Sequence, residues 1–142
     1  MSTSACDIAS VLGLSRRGIE TTFELAEALE KGLPVSSLER VCKLIAPNDT
    51  KFRDVLVARA TFARRRQQKR LSLEEGERVQ RLARIWALAL DVWGDAVSTR
   101  RFLAEPHPLL HGRQPIDVAA RTNVGARMVE DILGRLKYGS AA

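Results

Sequence analysis

Apolar residues along this chain recur at intervals of three and four rather than two, the signature of helices with one buried face. The strongest run follows Ser72: Val79, Leu82, Ala83, Trp86, Ala89 or Leu90, and Trp93 form one stripe that ends at Gly94, which predicts the core helix of the second half. Three Ser/Thr-x-x-Glu pairs, Thr21 with Glu24, Ser36 with Glu39 and Ser72 with Glu75, have the spacing of a capping box. In such a box the hydroxyl accepts from an orphan amide and the carboxylate reaches back to the cap residue. They predict one helix over 22–31, stopped by Gly32 and Pro34, and a second from about 37 to Pro47 with Leu38, Val41, Cys42 and Ile45 on one face.

After the Pro47-Asn48-Asp49 turn, Phe52, Val55 and Leu56 predict a third short helix, and 60–69 a fourth. Beyond Gly94, Asp95 caps a helix carrying Val97, Arg101, Phe102 and Leu103, which Pro106 and Pro108 turn into an extended elbow. Gly112, Pro115 and Asp117 mark the entry to a short helix, and Thr122 caps a last one with Met128, Val129, Ile132, Leu133 and Leu136 facing inward. No strand-like alternation occurs, so the fold class is all-α. The punctuation divides the chain into an N-terminal segment, 1–20, a helical bundle over 21–70, and a second helical domain over 71–142.

Charge changes this picture. The 142 residues carry a formal net charge of +6, which suits a polyanionic partner. The excess is concentrated: Arg59, Arg64, Arg65, Arg66, Lys69 and Arg70 place six cations in twelve residues without an acid. On the fourth helix, behind the short third one, this cluster suits a helix-turn-helix made from 51–57 and 60–69, whose second helix enters the major groove. A solvated helical face explains the same charges, and spacing leaves both readings open.

Other chemistry is sparse. Cys6 and Cys42 are isolated, without a CxxC or a nearby His pair, and suit free thiols in a reducing compartment. His107 and His111 lie among prolines with no third ligand in reach, so neither a metal nor any other cofactor is expected. No Ser or Cys sits in a nucleophile elbow with a His partner, and no catalytic site can be assembled. The longest apolar run, 85–90, is six residues, too short to span a membrane, and no export signal opens the chain; a cytoplasmic location is expected. Aromatics are only 5% of residues, too few for the stacking platforms of a single-strand RNA binder.

The motifs also have a telling order: Arg59-Ala60-Thr61-Phe62-Ala63-Arg64-Arg65, Leu71-Ser72-x-x-Glu75, Arg78, Arg81-Leu82-Ala83-Arg84, Trp93-Gly94-Asp95, Phe102-Leu103, Pro106, Leu110, Gly112, Pro115-x-Asp117 and Arg135-x-x-Tyr138-Gly139. This set, over roughly residues 30–142, resembles the antitoxins that join an Xre-like helix-turn-helix to a C-terminal Xre/MbcA/ParS toxin-binding domain. The resemblance implies a type II toxin–antitoxin role without enzymatic activity, with a cognate RES-domain toxin that consumes NAD as partner. It implies that Arg135, Lys137, Tyr138, Gly139, Ser140, Ala141 and Ala142 help to close the toxin's NAD pocket.

It implies also that the N-terminal module binds operator DNA through Arg59, Thr61, Arg64, Arg65, Arg66 and Lys69, as a homodimer within a larger toxin–antitoxin hetero-oligomer, so that the operon represses itself. A stand-alone helix-turn-helix regulator without a toxin is the alternative. The chain departs from the family pattern in four places: Leu56 stands where a turn Gly is usual, Gly76 where Ser follows the capping Glu, Lys137 where an acid precedes Tyr-Gly, and Ser140 where a bulky aliphatic follows. The last two imply a differently lined pocket in a divergent RES partner.

Overall fold

One helix organises the molecule. In the computed structural model, which describes residues 3–14 and 18–139, the elements are α1 (Ala5–Val11), α2 (Thr22–Lys31), α3 (Val35–Ile45), α4 (Phe52–Leu56), α5 (Arg59–Gln68), α6 (Leu73–Trp93), α7 (Ala96–Ala104), α8 (Pro115–Arg121) and α9 (Asn123–Tyr138). No strand occurs among the described residues, and none of their helices is long and apolar enough to cross a membrane. Helix α6 packs against α1, α2, α3, α4, α7, α8 and α9. Its expected stripe is correspondingly widened: Ile85 and Leu88 are buried beside Val79, Leu82, Ala83, Trp86 and Ala89, whereas Trp93 is 40% exposed at the helix end.

The caps at Thr21, Ser72, Asp95 and Thr122 form as their spacing requires, each hydroxyl or carboxylate accepting from the amide three residues on. The pair Ser36–Glu39 does not cap. Pro34 stands at the N-cap of α3 without a side-chain bond, and the helix starts at Val35, ahead of the expected 37. The neighbouring Ser37 hydroxyl is buried and donates to Leu12 O at 2.7 Å, which fastens α3 to the end of α1.

Helix α1 lies in the segment for which the periodicity gives no element. It is opened by a capping box of Ser4 and Asp7 and buries Ala5, Ile8 and Ala9, with Leu12 just beyond its end. Asp7, which breaks the apolar run in sequence, is the capping acid. Two further residues depart from expectation: Met128 and Leu136 are each 41% exposed, because only Ala126, Val129, Ile132 and Leu133 of α9 face the core with Gly125.

Guanidinium groups stitch the elements together. Arg81 is only 6% exposed; its fork donates to Ala119 O and Ala120 O at the end of α8 and to Asn123 Oδ1 at the start of α9. The three bonds offset the desolvation of a buried cation and satisfy carbonyls that the end of a helix leaves free. Arg84 pairs with Glu130 at 2.5 Å, and Asp91 with Lys137. The two pairs lie seven residues apart on both helices and in the same order, so α9 runs parallel to α6. Arg100 donates to Leu44 O and lies over the Trp86 ring, tying α7 to α3.

Candidate functional site

Helices α4 and α5 follow one another through a tight link, the arrangement expected of a helix-turn-helix. Phe52 and Leu56 of α4 and Phe62 of α5 are buried, and the Arg53 guanidinium stacks on the Phe62 ring at 3.9 Å. The link runs through Val57 in extended conformation and Ala58, with no residue at positive φ. No glycine is needed there, and Leu56 is used instead to fill the core. This turn depends on α6: Arg78 donates to Leu56 O at 3.1 Å.

The far end of α5 is fixed by the chain before α3. Lys69 ends the helix in the left-handed region at φ 64°, and its carbonyl accepts from Val35 N. Arg70 donates to Gly32 O, and Leu71 N donates to Leu33 O. Gly32 itself has φ 96°, and a Cβ there would stand 2.8 Å from Leu71 O, so both backbone shape and space demand glycine.

The six residues expected to meet DNA separate by direction. Arg59, Arg64, Arg66 and Lys69 are exposed and make no ion pair among the described residues. Thr61 is half-buried. Arg65 turns inward: its Nε donates to Glu75 Oε1 at 2.7 Å and its Nη1 to Gln68, in a pair whose side chains are 19% and 8% exposed. Glu75 also accepts from Ser72 N, so one carboxylate caps α6 and anchors α5. Burial pushes this carboxyl up, but the bonds from Arg65 and Ser72 outweigh it and hold the group below its ordinary 4.5. Gln67, which the charge pattern passes over, shares the exposed face with Arg64.

The second candidate surface is the solvent side of α9. Val124 is 73% and Tyr138 63% exposed, and Met128 and Arg135 lie on the same stripe between them. Lys137 is held by Asp91, which raises its pKa through that hydrogen bond, so this cation serves the contact between α9 and α6. Gly139 closes the helix at φ 68°, donating to Arg135 O. Ser140, Ala141 and Ala142, the rest of the expected binding tail, lie outside the described residues. The apolar residues on this stripe, with Leu136 beside it, make an uncovered face on a helix otherwise held by buried contacts.

His107 packs edge-on to Phe102 and accepts through Nδ1 from Leu109 N, closing the elbow, and no group of three His, Cys, Asp or Glu among the described residues could hold a metal ion. Residues 24–84 match the family model of the antitoxin Xre-like helix-turn-helix domain, and residues 88–139 match that of the antitoxin Xre/MbcA/ParS C-terminal toxin-binding domain. The two matched stretches meet inside α6. No curated protein gives a significant match to the chain.

Proposed function

The chain belongs to the Xre/MbcA/ParS family of antitoxins, and on that premise we propose that it neutralises a RES-domain, NAD-consuming toxin by covering the toxin's NAD pocket. The two matched domains make it a type II antitoxin with a DNA-binding and a toxin-binding domain. The observation that carries the proposal is the exposed α9 stripe ending at Tyr138, set on a helix that half-buried bonds from Arg81 and Arg84 fasten to α6. A helical face fastened in this way, on which Asp131 and Arg135 stand among Val124, Met128 and Tyr138, loses little freedom on docking. The last turn of α9 and the residues that follow it in sequence then meet the substrate volume of the toxin. A buried interface of about 1,200–2,000 Å² is enough for slow release without any chemistry from the antitoxin.

In this reading 21–70 supplies the DNA contacts and 71–142 the toxin contacts, while 1–20 packs α1 beneath α6. One small helix-turn-helix makes few base contacts, so a homodimer inside the toxin–antitoxin assembly reads paired half-sites in the operon's own promoter. Deletion of residues 138–142 tests the occluding role. The truncated chain is expected to lose neutralisation of the toxin in a growth-rescue assay while still retarding promoter DNA in a gel shift. Full protection by the truncated chain would refute the role of these residues.

A further inference from the structure

The outward face of α5 holds more than charge. Successive helical residues turn by about 100°, so buried Phe62 fixes the opposite face as Ala60, Ala63, Arg64 and Gln67, all exposed. Arg64 and Gln67 make no side-chain hydrogen bond among the described residues, whereas the neighbouring Arg65 and Gln68 bond to each other and Arg65 to Glu75. The two free polar groups therefore stand on the face that a major groove would meet, flanked by side chains no longer than a methyl.

We propose that Arg64 and Gln67 read bases, Arg64 a guanine and Gln67 an adenine on a neighbouring base pair, while Arg59 and Lys69 contact phosphates, Arg66 lies back over the Phe62 ring and Arg65 only positions the helix. This rests on the DNA-binding reading above and deepens it. The chemistry is matched in both cases. An Arg fork donates twice, to guanine O6 and N7, and a Gln amide donates to adenine N7 while accepting from its N6 amino group. Three residues advance about 4.5 Å along a helix axis, close to the spacing of about 3.4 Å between stacked bases. Ala60 and Ala63 let the backbone approach the groove floor and offer methyls to thymine. Arg59 and Lys69 lie at the two ends of α5, where the sugar-phosphate walls pass.

The experiment is selection of bound sequences from a random duplex DNA library by the full-length chain and by its Gln67→Ala, Arg64→Ala and Lys69→Ala variants, with thermal melts to establish that each folds. The parent chain is expected to enrich a motif containing guanine next to adenine. Gln67→Ala should lose preference at the adenine alone and Arg64→Ala at the guanine alone, each by about tenfold or more. Lys69→Ala should keep the motif, bind all duplexes more weakly and show a salt slope shallower by about one. Unchanged motifs in folded Gln67→Ala and Arg64→Ala would overturn the assignment, as would duplex binding by the parent without any enriched motif. Absence of duplex binding by the parent would overturn the DNA-binding reading itself.

Discussion

Glu75 holds two contacts with one carboxylate, and this makes the α5–α6 junction sensitive to acid. Its pKa is lowered in the folded chain, so its contribution to stability is complete above the ordinary value of 4.5 and disappears as pH falls through the lower folded value. Glu75→Gln should cost about 1–3 kcal/mol at neutral pH, because the half-buried Arg65 loses its ionic partner. It should also flatten the fall in stability below about pH 5. Denaturant melts of parent and variant from pH 3 to 7 check both; parallel acid limbs would count against the role of Glu75. The double duty was only half legible in the sequence. Ser72-x-x-Glu75 announces a cap within four residues, but that the same oxygen meets Arg65 depends on how α5 folds back, which no local spacing encodes.

At the scale of elements, glycines report where helices touch. A Cβ on Gly125 would stand 2.2 Å from Val118 O, whereas one on Gly134, on the same helix, meets nothing within 4 Å. Gly125→Ala should therefore force α8 and α9 apart and cost about 1–3 kcal/mol. Gly134→Ala should gain about 0.5–1 kcal/mol from helix propensity. Thermal melts of both variants decide it, and equal shifts would contradict the packing described. Helix bounds were readable wherever a cap acts locally, as at Thr21, Ser72, Asp95 and Thr122. Helix α1 was not, since its small set of Ala5, Ile8 and Ala9 becomes a buried face only against α6. Apolar periodicity places Met128 and Leu136 inward although both are exposed, because it marks a stripe without saying how much of it a neighbour covers.

The whole molecule shares its longest helix between its two roles. Glu75 and Arg78 hold the helix-turn-helix, and Arg81, Arg84 and Asp91 hold α8 and α9, all from α6. The all-α class and the order of the two modules were legible because capping signals and motif order are linear properties. The directions of the cations were not: Arg59 and Arg64 are exposed and unpaired among the described residues, Arg66 lies over the Phe62 ring, and Arg65 and Lys137 are held in ion pairs, and a run of like charges reads the same in either case.

The central claim, that this antitoxin silences an NAD-consuming RES-domain toxin, meets its most direct test in the purified native complex. The tagged chain would be recovered from its host with whatever protein it holds, and NAD loss would be followed before and after the chain is stripped away and the partner refolded. The account predicts a stoichiometric partner that leaves NAD intact while bound and consumes it once freed. A partner that leaves NAD untouched in both states, or recovery of DNA with no protein partner, would contradict it.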